Sequence, residues 1–325
     1  MKRMFTPEVK RMFTIAAAAV LAVAGCGGQG AGGGSGNRIV IATGGTSGVY
    51  YVYGGGLAQQ LSATIPQTRA IASATSASVE NIKLLASGKA QIGFSQADTA
   101  ADAVNGKDTF TAKQPVKAIA RIYDNYAHVV VAPGVQATKL ADLRGKTVSL
   151  GPANSGTQVV ARRMLQAAGL DPDTDISKQQ LSINESVQAV KDDTIDAFFW
   201  VGGLPTAGIT DLAASKSRMK MLDTRDVLAK LQQTYGPQYA LLDVDLADTY
   251  KLSGTIRTIG IANVLLVPTS MNEQLAYDIT KTLFEKKAEL AMVHPEARKL
   301  DPALGQQVAP VELHPGAARY YKEKG

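Results

Sequence analysis

The sequence predicts an α/β protein built from two lobes of similar plan. Short apolar runs typical of strands alternate with helical patterns along most of the 325 residues, and this alternation is typical of a mostly parallel sheet with helices on its faces. A strand, a glycine-rich loop and a helix start follow one another at residues 39–48 and again at 148–156. A late apolar strand at 259–268 precedes further helical patterns, which predicts that the chain returns to the first lobe. Two crossings between lobes would form a hinge.

The individual elements follow from apolar periodicity and from the residues that end each run. The predicted strands are 38–43, 69–73, 90–94, 116–122, 128–131, 147–150, 195–200 and 259–268. The predicted helices are 50–61, 79–86, 157–168, 185–191, 273–292 and a short piece near 296–300. Gly88 and Gly169 follow two of these helices, in the position where glycine commonly ends a helix.

The N-terminus has the pattern of a lipoprotein signal. A basic head precedes a short apolar run, and Cys26, the only cysteine, follows the small residues Ala24 and Gly25. The apolar run is shorter than the roughly 20 residues that a membrane-spanning helix needs. We therefore expect residues 1–25 to be a signal peptide, Cys26 to be acylated, and the glycine-rich segment 26–37 to be a flexible tether. The alternative is a buried or redox-active cysteine. A single cysteine leaves no partner for a disulfide within the chain.

Composition excludes some classes of function. After the signal peptide about 300 residues remain, enough for two domains with real cores. The formal net charge is +6, and the signal segment carries four basic residues and one acidic residue of that total. No long basic run or basic–aromatic stripe is present, so the sequence does not indicate nucleic-acid binding. The mild positive balance fits an anionic membrane or solute, or a solubility effect without a partner.

The sequence contains no recognisable catalytic motif. The segment 45–49 lacks the last glycine of a nucleophile elbow, and Gly145–Thr147 lacks the first glycine of a P-loop because position 140 is Leu. The histidines lie far apart, without the spacing of metal ligands: His128, His294 and His314. The sequence therefore predicts a protein that is not an enzyme and that has no cofactor and no metal site, and it leaves open whether the cleft needs an ion.

Three predicted helices begin in loops rich in Gly, Ser and Thr: residues 44–50, 75–81 and 151–157. A helix N-terminus leaves backbone N–H groups free and carries a partial positive charge. Small residues let a ligand approach that backbone, so a carboxylate or phosphate can bind there without Arg or Lys. In open α/β sheets, ligands bind outside the carboxyl ends of strands. The alternative for each loop is ordinary helix capping by Ser and Thr.

Several segments in one order resemble the TAXI family of solute receptors, which serve TRAP-type transporters. The matching segments are 41–51, 78–82, 92–98, 142–146, 151–157, 195–199 and 314–321. The resemblance runs from about residue 38 to the C-terminus. It implies a two-lobed periplasmic-binding-protein fold of type II with a hinge and an interlobe cleft. It also implies closure on a small carboxylate or amino acid such as glutamate, glutamine or a 2-oxoglutarate-like acid, and delivery to a membrane permease.

Two positions depart from the family pattern. Many relatives have Glu where this chain has Gln158, and the lost charge could change ligand preference. Many relatives have a smaller residue where this chain has Trp200, the only tryptophan. Trp200 either forms a wall of the binding site or packs in the core.

These observations predict a lipid-anchored, extracytoplasmic receptor with lobe 1 at residues 38–126 and 263–325 and lobe 2 at 127–262. The predicted ligand-binding residues are Gly45, Thr46, Tyr50, Ser76, Ser78, Gln96, Pro152, Ser155, Gly156, Thr157 and Trp200. The expected partners are a small carboxylate or amino acid, a TRAP-type permease and the membrane, and no nucleic acid. The two alternatives are a sensing lipoprotein without a transport role and an exported enzyme on the same fold.

Overall fold

The computed structural model describes residues 37–215 and 219–324. The predicted signal peptide, Cys26 and all of the predicted tether except Asn37 lie outside the described residues. Within the described ranges, no helix combines the length and the hydropathy needed to cross a membrane.

Ten strands form in the described residues, all in one sheet. They are β1 (Asn37–Ala42), β2 (Thr68–Ser73), β3 (Ile92–Gln96), β4 (Val116–Val131), β5 (Thr147–Ser149), β6 (Ser177–Gln179), β7 (Ala197–Gly202), β8 (Lys220–Met221), β9 (Tyr239–Asp245) and β10 (Thr255–Pro268). The strand order is β2-β1-β3-β10-β4-β7-β5-β6, with β8 paired to β4 and β9 paired to β10.

Twelve α-helices cover the sheet in the same ranges, together with three short 3-10 segments. The helices are α1 (Val49–Thr64), α2 (Ser78–Ala86), α3 (Ala97–Asn105), α4 (Gly156–Ala167), α5 (Ile183–Lys191), α6 (Ala207–Ala214), α7 (Leu228–Tyr235), α8 (Leu246–Tyr250), α9 (Glu273–Glu285), α10 (Lys287–Val293), α11 (Pro302–Gly305) and α12 (Pro315–Lys324). The predicted helix at 273–292 is two helices that meet at Lys286.

The sheet is mixed, so the expectation of a mostly parallel sheet is wrong. Strand β1 is parallel to β2 and β3, and β5 is parallel to β6 and β7. Strand β10 is antiparallel to β3, β4 and β9, and β4 is antiparallel to β7 and β8. Alternating strand and helix patterns predict the parallel units within each lobe. These patterns do not predict that two long antiparallel strands pair with each other between the parallel units.

Strands β4 and β10 are these two long strands, with 16 and 14 residues. The predicted strands 116–122 and 128–131 are both parts of β4. In the ladder Tyr126 pairs with Gly260 and Asn125 with Ile261, and the register shifts between Ala262 and Val264. The predicted lobe boundaries, 126/127 and 262/263, fall within this paired stretch. The division into lobes stays a prediction, and lobe 1 and lobe 2 denote its two parts.

The buried apolar side chains group in a way that agrees with these names. Two clusters draw on residues 39–123 and 264–321, and Val159 is their one described member from lobe 2. Two other clusters draw on residues 126–261. Each set therefore forms a hydrophobic core of its own. Burial of its apolar surface stabilises the folded chain by about 25 cal/mol per Å². Strands β4 and β10 contribute to both sets, so they are the elements on which relative movement of the lobes would turn.

Candidate functional site

A cavity of about 170 Å³ lies where the two lobes meet. Residues of lobe 1 line one part: Gly44, Gly45, Gly48, Val49, Tyr50, Thr75, Ser76, Ala77, Gln96, Tyr123 and Asn125. Residues of lobe 2 line the rest: Pro152, Ser155, Thr157, Ser182, Ile183, Trp200, Val201 and Gly202.

The sheet topology explains why these residues meet. Most lining residues follow the carboxyl ends of β1, β2, β5 and β6 or are the last residues of β3 and β7. Tyr123 and Asn125 lie within β4. Ligands bind at such strand ends in open α/β sheets. Here two sets of parallel strands, one in each lobe, direct their carboxyl ends at the same space.

Among the residues that the structure describes, no Asp, Glu, Lys, Arg or His side chain lines the cavity. Much of the wall is apolar. Val49, Ile183 and Trp200 contribute, and the Trp200 indole Nε1–H donates to Thr206 Oγ1 at 3.0 Å. A Cβ placed on Gly48 would lie 3.2 Å from the Trp200 ring. A cavity of this kind suits a ligand with apolar surface and few polar groups.

Helix α1 directs an uncapped N-terminus at the cavity. Its N-cap is Gly48, no side chain accepts from its first N–H groups, and its first turn has no acidic residue. Of the other helices that begin near the cavity, α2 and α3 also lack a side-chain cap but carry Glu80 and Asp98 in their first turns, and α4 and α5 are capped by side chains. Ser155 accepts from Gln158 N–H in α4, and Ser182 with Glu185 forms a capping box in α5. Helix α1, with 16 residues, therefore offers the free N–H groups and partial positive charge that bind an anion.

Two loop residues have backbone conformations that side chains disfavour. Gly151 has a φ of +86°, and a Cβ there would lie 2.6 Å from Thr157 Cγ2, so the turn before α4 requires glycine. Ala77 has a φ of +83° directly before α2. Such strain costs about 1–3 kcal/mol and concentrates at ligand sites.

A buried amide network lies beside the cavity, where β4 and β10 pair. Asn263 Nδ2 donates to the Tyr123 carbonyl at 3.1 Å. Since a carbonyl only accepts, Asn263 Oδ1 must be its acceptor end, and it accepts from Asn125 Nδ2 at 2.8 Å and from the Tyr50 hydroxyl. This arrangement fixes Asn125 with its Oδ1 free, and that atom is buried without a hydrogen-bond partner. Burial raises the pKa of Tyr50, so its hydroxyl stays protonated.

Gln96 is the second amide of the cavity. It is 2% exposed, and its Oε1 is also buried without a hydrogen-bond partner. The Gln96 backbone N–H donates to Ser78 Oγ at 3.1 Å. Gly156 of lobe 2 packs against both residues, since a Cβ there would lie 2.5 Å from Ser78 Oγ and 2.7 Å from Gln96 Cδ.

Most of the residues predicted to bind ligand line the cavity. They are Gly45, Tyr50, Ser76, Gln96, Pro152, Ser155, Thr157 and Trp200. Thr46 is exposed and does not line it. Ser78 and Gly156 pack behind the lining, because Ser78 accepts from Gln96 and Gly156 supports that pair. The binding role of every residue stays a prediction.

Some lining residues were missed in the sequence. Tyr123 and Asn125 lie inside a long strand rather than in a glycine-rich loop, so nothing local marks them. The sequence could have identified Ser182 as a helix start, because Ser followed three residues later by Glu185 is the pattern of a capping box. Gln158 lies outside the cavity lining, and its Oε1 accepts from Asn154 N–H at 3.3 Å, so any influence of Gln158 on the ligand would be indirect.

His128 has structural partners. Its Nδ1–H donates to the Trp200 carbonyl at 3.2 Å, and its Nε2 accepts from the Tyr250 hydroxyl at 2.9 Å. Burial lowers the pKa of His128 to about 4, which keeps the ring neutral at neutral pH. Within the ranges that the structure describes, no group of three or more His, Cys, Asp or Glu side chains is placed to hold a metal ion.

Comparison with known proteins gives both a family and a fold. A model of the NMT1-like family matches residues 41–325. The chain belongs to the NMT1-like family. Among solved structures, this NMT1-like chain is similar to an ancestral arginine-binding protein bound to arginine, with a TM-score of 0.50, 14% identity and coverage of 80% of this chain and 97% of that one.

Two further solved structures are similar to the NMT1-like chain. One is the periplasmic aliphatic sulphonate-binding protein SsuA from Escherichia coli, with a TM-score of 0.48, 16% identity and coverage of 88% and 83% of the two chains. The other is a putative L-cystine ABC transporter from Listeria monocytogenes, with a TM-score of 0.49, 13% identity and coverage of 79% and 94%. At such identities the likeness concerns the fold alone. The predicted periplasmic-binding-protein fold is confirmed.

Proposed function

We propose that this NMT1-like chain is an extracytoplasmic receptor that binds a small carboxylate-bearing solute and delivers it to a membrane transporter. One observation carries the proposal: a cavity between the two lobes, lined by strand ends of both and faced by the uncapped N-terminus of α1. That N-terminus supplies N–H donors for a carboxylate without a cationic side chain.

The cavity couples binding to closure because both lobes line it. A solute that contacts lobe 1 through Tyr50 or Gln96 and lobe 2 through Ser155 or Thr157 can make both sets of contacts only when the lobes are together. Such a solute favours the closed form by its differential affinity for that form. The surface of the closed form is then what a transporter would recognise.

Two kinds of transporter are compatible with this fold. The sequence segments shared with TAXI receptors favour a TRAP-type permease. The similar solved structures include proteins described as parts of ABC transporters, and the fold does not distinguish between the two. We propose the TRAP-type partner, because the resemblance runs through several segments in one order. Uptake of solute into vesicles that contain the partner permease would test this. A TRAP-type partner is expected to work without ATP hydrolysis.

Thermal unfolding of residues 38–325 against a panel of amino acids, carboxylic acids and sulphonates tests the receptor proposal. A ligand present at about 100 times its Kd stabilises the folded chain by about 2.7 kcal/mol, which is a clear rise in melting temperature. Mass spectrometry of the denatured protein identifies solute already bound from the expression host. A chain that is empty and unresponsive to every acid would contradict the proposal.

A further inference from the structure

In residues 37–215 and 219–324 no charged side chain lines the cavity, and this restricts the charge of the solute. A buried ion without an ionised partner loses its hydration without compensation. The N-terminus of α1 offsets this loss for one carboxylate through its partial charge of about half a unit. A second carboxylate, as in glutamate or 2-oxoglutarate, finds no Arg, Lys or His among the lining residues.

The two free amide oxygens indicate a second feature of the solute. Asn125 Oδ1 is an acceptor, because its orientation follows from the Tyr123 carbonyl through Asn263. Both residues line the cavity, Asn125 is fully buried and Gln96 is 2% exposed, and the side-chain oxygen of each is buried without a hydrogen-bond partner. Buried polar atoms are rarely left unpaired. The complementary group is an N–H donor on the solute.

We propose, building on the proposed function, that the cavity takes a solute of zero net charge with one carboxylate, one ammonium group and an apolar body. The carboxylate lies at the N-terminus of α1, the ammonium faces the oxygens of Gln96 and Asn125, and the apolar body contacts Ile183 and Trp200. An apolar α-amino acid has this chemistry, and a dicarboxylate does not.

Matched pairs of acids test this ligand chemistry. The probes are L-leucine and L-phenylalanine, their deaminated counterparts 4-methylpentanoate and 3-phenylpropanoate, and the dicarboxylates L-glutamate and 2-oxoglutarate, each measured by calorimetry. Loss of hydrogen bonds to a charged group predicts about tenfold or more weaker binding for the deaminated acids. Dicarboxylates that bind as tightly as the amino acids would overturn this inference and leave the receptor proposal standing. Absence of binding by all six would overturn this inference, whereas the receptor proposal is overturned only if the wider panel also fails on a chain that is empty.

Gln96→Glu gives a directional test. A carboxylate beside the ammonium should strengthen binding of L-leucine relative to the wild-type chain, and should weaken binding of 4-methylpentanoate by repulsion. Gln59→Glu is the matched control, because Gln59 is exposed on α1 and outside the cavity. An equal change for both probes in Gln96→Glu would show that the ammonium does not face this residue.

A second proposal rests on a different cluster, centred on Arg163 of α4 in lobe 2. The Arg163 side chain is 4% exposed. Its Nη2 lies 2.5 Å from Asp102 Oδ2 and 2.6 Å from Asp108 Oδ2, and its Nη1 lies 3.4 Å from Asp98 Oδ2. All three carboxylates belong to lobe 1, on α3 or directly after it. Charge-assisted hydrogen bonds of this kind are about twice as strong as neutral ones.

The cluster lies on two of the helices that begin at the cavity. Helix α3 begins directly after Gln96, and α4 begins directly after Ser155. Tyr239 of lobe 2 completes the cluster by donating its hydroxyl to Asp98 at 2.8 Å. Separation of the lobes would leave the Arg163 guanidinium without its carboxylates.

We infer that Arg163 is an interlobe latch that favours the closed form. The neighbouring Arg162 is the matched control, because it pairs with Asp173 of its own lobe at 2.6 and 2.9 Å. Removal of Arg163 should shift the lobes toward the open form, and removal of Arg162 should not.

Interlobe distances measure the latch without any ligand. Cys26 is the only cysteine, so a chain without it accepts spin labels at cysteines placed at Lys89 and Lys230, two exposed positions of lobes 1 and 2. Arg163→Met is expected to increase the population of longer distances, and Arg162→Met to leave the distribution unchanged. If Arg163→Met does not fold, Asp108→Asn replaces it, because that carboxylate is 41% exposed. A wild-type distance distribution in the variant that folds, or a wild-type chain that is already open, overturns the latch.

Discussion

Gly156 of lobe 2 lies directly against Gln96 of lobe 1, with room for a hydrogen atom but not for a methyl group. A Cβ at position 156 would lie 2.7 Å from Gln96 Cδ and 2.5 Å from Ser78 Oγ. Contacts below 3.0 Å require one side to move. The contact crosses the lobe boundary, so the lobes can relieve it by separating.

Gly156→Ala should therefore hold the lobes apart and weaken solute binding by about tenfold or more, which is about 1.4 kcal/mol. The melting temperature without solute should change little, because the separated lobes keep their cores. Gly55→Ala is the control: nothing lies within 4 Å of a Cβ there, and replacing a helical glycine should stabilise the chain by about 0.5–1 kcal/mol. Wild-type affinity in Gly156→Ala would contradict the role of this contact in closure.

Ser155→Ala with Thr157→Ala should reduce the free energy of unfolding as well as solute affinity. Ser155 Oγ accepts from Gln158 N–H at 3.0 Å, and Thr157 Oγ1 accepts from Val201 N–H at 3.2 Å. Loss of an N-cap costs about 0.5–2 kcal/mol, and the unpaired Val201 N–H adds about 1–3 kcal/mol. Urea unfolding measures the change in the free energy of unfolding, and calorimetry measures the change in solute affinity. Unchanged stability would show that water replaces both hydroxyls.

Trp200 should report solute binding through its fluorescence. It is the only tryptophan of the chain and it lines the cavity, so exclusion of water by a bound solute should move its emission to shorter wavelengths. Trp200→Phe should remove the signal and weaken binding through lost contact area. A solute that raises the melting temperature without changing the emission would place its binding site elsewhere.

Acid should destabilise the folded chain through His128. Burial lowers the pKa of His128 to about 4, against an ordinary value of about 6.5 in the unfolded chain. Between these values the unfolded chain binds the proton and the folded chain does not, so the free energy of unfolding falls as the pH falls from 6.5 to 4. The expected loss is about 3 kcal/mol.

Comparison with His128→Asn isolates this effect, since its amide can still donate to the Trp200 carbonyl. Asp102 acts in the opposite direction, because burial raises its pKa to about 6 and its uptake of a proton favours the folded state below that pH. Urea unfolding of both chains from pH 7 to pH 4 gives the difference. Parallel curves for the wild type and the variant would show that His128 does not titrate as expected.

Cys26→Ala should release the protein from the membrane. The cysteine follows a signal pattern, and acylation there is the proposed means of attachment. Fractionation of cells that express the wild-type and variant chains measures the change, with metabolic labelling by a fatty acid as a second readout. A variant that stays in the membrane fraction would contradict the anchor.

The sequence by itself determined many of the strands and helices and most of the loops that line the cavity, whereas β6, β8, β9 and α3 were not predicted. Apolar periodicity located the strands β1, β2, β3, β5 and β7 and the helices α1, α2, α4 and α5, because each buries a face within its own lobe. Glycine-rich helix starts identified Gly45, Tyr50, Ser155 and Thr157, because a strand, a loop and a helix in sequence must place that loop at a strand end.

Only the tertiary structure decided how the two long strands β4 and β10 pair and which side chains meet where they do. The pairing of β4 with β10 made the sheet mixed and brought Asn125, Asn263 and Tyr123 together, although 138 positions separate Asn125 and Asn263 in the chain. The Arg163 cluster likewise joins residues of two lobes. Local patterns do not record such contacts, since they depend on how distant segments pack and not on the propensity of either segment.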